Sequence, residues 1–274
     1  PPQLARKRGG TCGHAAAKRF SHRFWANFQA NTERRAMPCV LVTRAETDAE
    51  KTLSALRAQG FETLCAPVLR LECVPQPDLS GTFGGVVITS ANAIRAIARM
   101  PDHIALIHLP LYAVGERSAA LARLSGFAQA MEAGLDARAL ADFIRRHDSG
   151  ALPLLYLAGA DLSFDLESDL KHASITIETR VVYRMAPVTQ WADDIVAAIK
   201  ANAPQAVLHY SVRSARQFAT LAAQHDLMPQ LTRALQVCLS DQVAEPLRQA
   251  GFARIKVASQ PQEEALIAAL RGAV

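Results

Sequence analysis

The sequence predicts an α/β protein built on doubly wound parallel sheets, and three features carry this prediction. After Met37, short apolar runs rich in β-branched residues alternate with segments whose apolar residues recur every three or four positions. The short runs are apolar throughout, which is typical of parallel strands covered by helices on both faces. Three helical segments end in Gly-Phe, at Gly60, Gly126 and Gly251. Glycine favours the left-handed residue just past a helix, and the next apolar residue packs back onto the last turn.

Nine segments are predicted as strands, and most are followed by a helical segment. In chain order they are Val40–Thr43, Glu62–Ala66, Gly85–Thr89, Leu111–Val114, Leu154–Leu157, Ile175–Tyr183, Ala206–Tyr210, Val237–Ser240 and Arg254–Ala258. The regular alternation indicates parallel sheets wound by helices, because parallel strands need a crossover connection between them.

An internal repeat accompanies this alternation. The aligned pairs are Val86–Ala93 with Val207–Ser214, Tyr112–Phe127 with Val237–Phe252 and, more loosely, Val40–Arg44 with Leu154–Ala158. They predict two similar halves, 37–150 and 151–274. Any α/β protein repeats strand–turn–helix units, so the repeat by itself identifies no function.

The positive charge of the chain is confined to its first residues. Residues 1–36 hold eight Lys or Arg and one acid, Glu33, in a chain whose formal net charge is +5. The leader is therefore +7 and the remainder is −2, so the folded part is not predicted to bind nucleic acid. We expect residues 1–36 to be a basic leader, either a disordered tail or sequence from upstream of the true start. The Arg-rich, acid-poor composition leaves a mitochondrial targeting peptide and weak binding of polyanions as alternatives.

Several functional classes are excluded by missing motifs. The chain has no apolar run of membrane-spanning length, no CxxC pair, no His/Cys cluster at zinc spacing, and none of the GxGxxG, P-loop, GxSxG or HExxH motifs. We therefore expect no metal and no cofactor. The five cysteines are interpreted as unpaired thiols in a reducing compartment, which predicts a cytoplasmic protein. A lone histidine such as His209 is interpreted as a packed strand residue.

The turns that follow five predicted strands are rich in small hydroxyl residues. They are Thr89–Asn92, Gly115–Ser118, Gly159–Asp161, Ser211–Ser214 and Ser240–Gln242. Ligands of open α/β sheets bind beyond the carboxyl ends of the strands, and free amides at helix starts suit carboxylates or phosphates. N-capping alone also favours Ser, Thr, Asn and Asp there, and is the better explanation of any single turn. Five such turns in one chain favour a polyanionic small-molecule ligand.

A series of short motifs resembles the uroporphyrinogen-III synthase family in order and spacing, from Met37 to about Arg271. The motifs are Met37–Arg44, Ala66–Val68, Val86–Ala93, Tyr112–Ala119, Val182-Tyr183 and Val257–Leu266. The resemblance implies two doubly wound domains, 37–68 plus 186–274 and 75–178. It also implies a two-stranded linker between them, formed by 69–74 and 179–185.

The resemblance implies the chemistry as well. The family cyclises hydroxymethylbilane, which has eight carboxylates, to uroporphyrinogen III, with loss of water and inversion of the terminal pyrrole ring. It implies a hydro-lyase of tetrapyrrole and haem biosynthesis without cofactor, acting as a monomer. Transient contact with the preceding pathway enzyme is an expected partner interaction, whereas nucleic acid and membrane are not. The alternative is a non-catalytic two-lobed binding or sensor protein for an acidic small molecule.

The site residues are carried over position by position. Tyr183 stands where the family has a tyrosine facing the cleft, so its phenol is expected to donate a proton to the departing hydroxyl. A structural role in anchoring the linker strands is the equal alternative. The residues expected to bind substrate are Arg44, Thr89, Ser90, Asn92, Gly115, Ser118, Gly159, Ser211 and Ser240. The alternative for Arg44 is a surface ion pair. At Ser240–Val243 some family members carry Gly-Pro-Thr-Thr, so backbone amides are expected to serve there.

Overall fold

The structure is a computed structural model that describes residues 37–98, 100–147, 150–162 and 164–271. The predictions for the basic leader, residues 1–36, and for Cys12 lie outside the described residues. The strands are β1 (Cys39–Val42), β2 (Glu62–Cys65), β3 (Leu69–Cys73), β4 (Gly85–Ile88), β5 (Leu111–Ala113), β6 (Ala130–Glu132), β7 (Leu154–Gly159), β8 (Ile177–Pro187), β9 (Ala206–His209), β10 (Leu235–Cys238) and β11 (Ile255–Val257).

The helices lie between these strands. They are α1 (Glu46–Ala58), α2 (Ala91–Ile97), α3 (Glu116–Leu124), α4 (Ala137–His147), α5 (Leu166–Lys171), α6 (Asp193–Ala201), α7 (Val212–Gln224), α8 (Met228–Leu231), α9 (Asp241–Gln249) and α10 (Glu263–Arg271), with a 3-10 helix at Pro101–Ala105. Throughout the part of the chain that the structure describes, no helix is both long enough and apolar enough to cross a membrane.

The strand predictions are confirmed in position. Each of the nine predicted segments overlaps an observed strand, and the ends agree within two residues except that β8 continues four residues further, to Pro187. Two observed strands, β3 and β6, are not among the nine. Both lie at an edge of a sheet, and β6 has three residues, which is too short for the period-two pattern to show.

The first sheet has five strands in the order β11-β10-β9-β1-β2, and every pair is parallel. It belongs to a compact unit whose described part is 37–42, 51–66 and 190–271. Its central strands β1, β9 and β10 are buried along their whole length. This burial on both faces explains why these strands are apolar runs.

The second sheet has six strands in the order β3-β8-β7-β4-β5-β6. It belongs to a compact unit formed by residues 43–50 and 67–189. β8 pairs in parallel with β7 along its first part and antiparallel with β3 along its second part, where Cys73 lies opposite Tyr183. Two apolar clusters cover the sheet: one contains Val86 and Ile88, and the other contains Val87 and Tyr156. The α/β class predicted from the sequence is therefore confirmed.

The three Gly-Phe helix ends form as predicted. Gly60, Gly126 and Gly251 have φ of +84°, +103° and +88°. In each case the N–H of the following Phe donates to the carbonyl five residues before it, at 3.0–3.1 Å, and the Phe ring is buried. The same pattern ends two further helices at Asp226 and Ser174, where φ is also positive. Sequence reasoning missed these two because the left-handed residue is not glycine.

Candidate active site

At the end of β4 in the six-stranded sheet lie two phenol–hydroxyl pairs, each formed by a tyrosine and a Ser or Thr side chain. The hydroxyls of Thr89 and Tyr156 are 2.9 Å apart, and the side chain of the next residue, Ser90, lies near the phenol of Tyr183 and acts to lower its pKa. Thr89 follows Val87 by two residues, so it lies on the sheet face that Tyr156 covers. Tyr183 instead packs against the cluster on the opposite face. The structure thus brings together three predicted residues, Thr89, Ser90 and Tyr183.

A fourth predicted residue, Gly159, lies directly against the Tyr183 ring. A Cβ at Gly159 would lie 2.7 Å from Cζ and 2.9 Å from the hydroxyl oxygen of Tyr183, closer than real Cβ contacts allow. The pairing of β7 with β8 shifts register between Ala158 and Gly159, and the N–H of Ala160 donates to the Tyr183 carbonyl at 2.9 Å. Both ring and backbone of Tyr183 are therefore held by this turn.

Both phenols are held in their protonated form. Burial raises the pKa of Tyr183, against the opposing effect of the nearby Ser90 side chain, and the carboxylates of Asp48 and Asp161 raise it further. Burial also raises the pKa of Tyr156, against the effect of its hydrogen bond to Thr89, and the nearby Tyr183 adds to the rise. A protonated phenol donates a hydrogen bond or a proton, and therefore suits the role of general acid.

Ser90 and Asn92 are engaged at the start of α2. Ser90 is the N-cap of this helix, and its side-chain oxygen accepts the N–H of Asn92 at 3.2 Å. Asn92 is buried, and its Oδ1 accepts a hydrogen bond from Arg95 at 2.6 Å. Its Nδ2 lies 4.0 Å from the sulfur of Met185 on β8. Asn92 thus connects α2 to β8, which carries Tyr183.

An ionic cluster adjoins this helix. The carboxylate of Asp48 lies 3.7 Å from a guanidinium nitrogen of Arg95 and 3.1 Å from one of Arg117. Both arginines also donate to the carbonyl of Thr47, at 3.1 and 2.9 Å. Burial lowers the pKa of Arg95, although Asp48 opposes the shift.

Sequence reasoning missed this cluster and Tyr156, because their partners are tens of residues away along the chain. Arg44, half buried, lies in the bend just before this segment.

Gly115 and Ser118 form the next turn of the same sheet, after β5. Gly115 precedes α3 with φ of +72°, and its N–H donates to the carbonyl of Gly134 at 2.8 Å. Ser118 lies in the first turn of α3 and is buried, and its N–H donates to the carbonyl of Gly115 at 3.0 Å. The N–H groups of Gly115 and Ser118 are thus both engaged in backbone hydrogen bonds at this turn.

Ser211 and Ser240 lie in the other unit, after β9 and β10. Ser211 caps α7 in a capping box, in which its side chain accepts the N–H of Ser214 at 3.1 Å and Ser214 accepts the N–H of Ser211. Ser240 caps α9 by accepting the N–H of Val243 at 3.4 Å. Ser211 is exposed and Ser240 is half buried, so capping leaves part of each side chain accessible.

The groups interpreted as structural are buried in the five-stranded unit. The Nε2 of His209 lies 2.9 Å from Oε1 of Gln236, and burial lowers the pKa of this histidine to about 4. Its interpretation as a packed strand residue is confirmed. Burial raises the pKa of Cys39 and of Cys238 to about 12, so neither is a thiolate nucleophile at neutral pH. The described part of the chain holds no group of three or more His, Cys, Asp or Glu placed to bind a metal.

Comparison with known proteins finds a matching family model and similar solved structures. The model of the family described as uroporphyrinogen-III synthase HemD matches residues 50–268. The uroporphyrinogen-III synthetase of Helicobacter pylori is 18% identical, with a TM-score of 0.59 over 86% of this chain and 99% of that one. A mutant uroporphyrinogen III synthase of Thermus thermophilus is 15% identical, with a TM-score of 0.43 over 86% and 98%. The Helicobacter pylori structure supports the α/β fold.

Proposed function

We propose that this chain, which belongs to the uroporphyrinogen-III synthase family, cyclises hydroxymethylbilane to uroporphyrinogen III with loss of water and inversion of the terminal pyrrole ring. The observation that carries the proposal is the family match over residues 50–268. The protonated phenol of Tyr183 beside hydroxyl-rich turns supports it, because the reaction needs an acid for a departing hydroxyl and contacts for many carboxylates.

Tyr183 is proposed as the proton donor. The Ser90 oxygen already accepts the N–H of Asn92, so its single proton is available to the phenol oxygen of Tyr183. The phenol proton then remains for the substrate. As the bond from carbon to the terminal hydroxyl breaks, that hydroxyl takes the proton and leaves as water, and a pyrrole nitrogen lone pair stabilises the resulting cation. Ring closure releases a proton, which restores the phenol.

The remaining task of the protein is conformational. Hydroxymethylbilane closes unaided to the isomer without inversion, so the enzyme must hold the chain in the geometry that leads through the spiro intermediate. Holding reacting atoms together is worth several kcal/mol without any strong nucleophile. This agrees with a site of hydroxyls, amides and one acid, and no cofactor is part of the proposal.

The substrate carboxylates are proposed to bind at the predicted turns. Arg44 would pair with a carboxylate, and the proposed turn groups are those of Thr89, Ser90, Gly115, Ser118, Ser211 and Ser240. For Asn92 and Gly159 the geometry favours a supporting role, since Asn92 is bound to Arg95 and Gly159 lies against the Tyr183 ring.

The finer features of the enzyme are also proposals. We propose two domains, 37–68 plus 186–274 and 75–178, with 69–74 and 179–185 as a linker. The pairing of β3 with β8 supports the linker. We further propose a lyase that works as a monomer in the cytoplasm, which is consistent with the absence of a disulfide among the four described cysteines, Cys39, Cys65, Cys73 and Cys238. Transient contact with the enzyme that supplies hydroxymethylbilane belongs to the same proposal.

An isomer assay tests the function. Hydroxymethylbilane is generated in situ, and the oxidised uroporphyrins are separated by chromatography, with a no-protein sample as control. We expect mostly isomer III with the protein and isomer I without it. Isomer I alone from folded protein would overturn the proposal and favour a non-catalytic binding protein for an acidic small molecule.

A further inference from the structure

The buried phenol of Tyr156 has no role in the reaction described above. Tyr156 lies in β7, where it pairs with Val87 of β4, and it is 2% exposed. The hydroxyl of Tyr156 lies 2.9 Å from the hydroxyl of Thr89. Among the described residues, Thr89 is the hydrogen-bond partner of this phenol. Thr89 itself is half buried at the end of β4. One hydroxyl of the pair is therefore enclosed, and the other can reach a ligand.

The enclosure of Tyr156 determines the direction of this hydrogen bond. A buried O–H that finds no acceptor costs about 1–3 kcal/mol. If Thr89 were the donor, the phenol proton of Tyr156 would have no acceptor among the described residues. The favourable arrangement has Tyr156 donating to the Thr89 oxygen. The proton of Thr89 must then point elsewhere, and its exposed side is the side open to a ligand.

The fold does not require a phenol at this position. The repeat and the strand registers make Val42 the counterpart of Tyr156, since Val42 pairs with Leu208 in the five-stranded sheet as Tyr156 pairs with Val87. Val42 is fully buried and apolar. An apolar residue thus fills the equivalent core position, and the hydroxyl of Tyr156 needs another explanation.

We propose that Tyr156 is a positioning residue that aims the hydroxyl proton of Thr89 at a substrate carboxylate. The inference rests on the proposed function, because it names a contact with the substrate of that reaction. Thr89 donates to the carboxylate, and Tyr156 acts only through Thr89. The contact is made to bound substrate and equally in the transition state, so it contributes to KM and not to kcat.

Steady-state kinetics on full-length variants test this inference. Tyr156→Phe and Thr89→Val each remove one hydroxyl with little change of shape, and they are combined in the double variant. We expect each single variant to raise KM for hydroxymethylbilane about fivefold, with kcat and the fraction of isomer III unchanged. The double variant should match Thr89→Val. Thr89→Ser, which keeps the hydroxyl, should retain the original KM.

Tyr112→Phe is the matched control. Tyr112 lies in β5 within the same apolar cluster as Tyr156 and is 7% exposed, so its substitution reports on loss of a buried phenol as such. It should leave KM unchanged. Three results would overturn the inference: a further rise in KM when Tyr156→Phe is added to Thr89→Val, an equal effect of Tyr112→Phe, or a fall in kcat at constant KM. Failure of the unsubstituted protein to form isomer III would instead refute the proposed function itself.

Discussion

The two sheets share one strand order but differ in what lies at their carboxyl ends. From β11 to β2 the five-stranded sheet runs in the same order as the six-stranded sheet from β6 to β8, when repeat counterparts are matched. Ser90 and Ser211 cap equivalent helices, and Gly126 and Gly251 end another equivalent pair. The six-stranded sheet differs in that it carries Tyr156 and an eleven-residue β8, whereas β2 has four residues.

This difference separates the features of the fold from those of the chemistry. Caps and glycine ends occur in both sheets, so they belong to the strand–turn–helix unit. The two phenol–hydroxyl pairs occur in one sheet, and Tyr183 lies on the part of β8 that extends beyond the length of β2. We therefore expect substitutions in the phenol–hydroxyl pairs to affect the reaction, and substitutions in the core and at the helix ends of the five-stranded sheet to affect mainly stability.

The largest expected effect is a loss of stability of the five-stranded unit at acid pH. It arises at His209, because the equivalent position of the other sheet holds the apolar Ile88, which cannot be protonated. Both Nε2 protons of Gln236 are donated to backbone carbonyls, so its Oε1 accepts from Nε2 of His209. Nδ1 of His209 has no partner among the described residues. Protonating it would bury an unpaired N–H, which agrees with the lowering of its pKa from 6.5 to about 4.

The folded state therefore resists protonation of His209 more than the unfolded state does. Its stabilising contribution is present above pH 6.5 and is lost as pH falls to 4, by about 3 kcal/mol in total. The measurement is denaturant unfolding between pH 7 and 4, followed by Trp191 fluorescence with Trp25 replaced by Phe. His209→Gln should flatten this pH dependence, whereas His108→Gln, at an exposed site, should not. An unchanged slope in His209→Gln would contradict the expectation.

Tyr183→Phe tests the chemical side of the comparison. Removing the proton donor should lower kcat for isomer III by about 100-fold while leaving the fold intact, since the ring still packs against its apolar cluster. Tyr210→Phe is the control from the other sheet, because Tyr210 follows β9 as Thr89 follows β4. Normal turnover by well-folded Tyr183→Phe would remove Tyr183 from the mechanism and leave it a structural role.

Gly159→Ala tests whether the position of the phenol matters in addition to its presence. The added methyl group would displace the Tyr183 ring, and we expect kcat to fall about tenfold. In a Tyr183→Phe background the same substitution should cost no further activity, because the proton donor is already gone. Isomer analysis of the two single variants and the double variant provides the measurement. Additive losses would show that Gly159 contributes independently of Tyr183.

The sequence predicted the parts of the fold that depend on neighbouring residues. Apolar runs marked nine strands, and Gly-Phe marked three helix ends, because both signals lie within a few positions. Asp226 and Ser174 end helices in the same geometry, yet their side chains carry no equally specific signal. Hydroxyl-rich turns also indicated Thr89, Ser90 and Gly159, although their contacts could not be assigned.

The pairing within the candidate site could not be predicted because it depends on strand register. Tyr156 looks like an ordinary core residue in the run Leu154–Leu157, and its partner Thr89 is 67 residues away. The register of β4 against β7 brings the two hydroxyls together. Likewise, Gly159 resembled a ligand-binding turn residue, whereas the register shift between β7 and β8 places it under the Tyr183 ring.

The smallest expected effect concerns the helix ends that both sheets share. Alanine at Gly251 meets no atom within 4 Å, so Gly251→Ala reports the cost of the left-handed backbone alone, about 1 kcal/mol of unfolding free energy. Gly126→Ala in the other unit should cost the same, since its Cβ would make ordinary contact with Ile107 at 3.5 Å. Asp226→Gly should instead add about 0.5 kcal/mol, because it relieves the same strain at an exposed residue. Denaturant unfolding measures all three, and kcat should not change in any. A fall in kcat for Gly126→Ala would show that the six-stranded sheet couples its helix ends to the site.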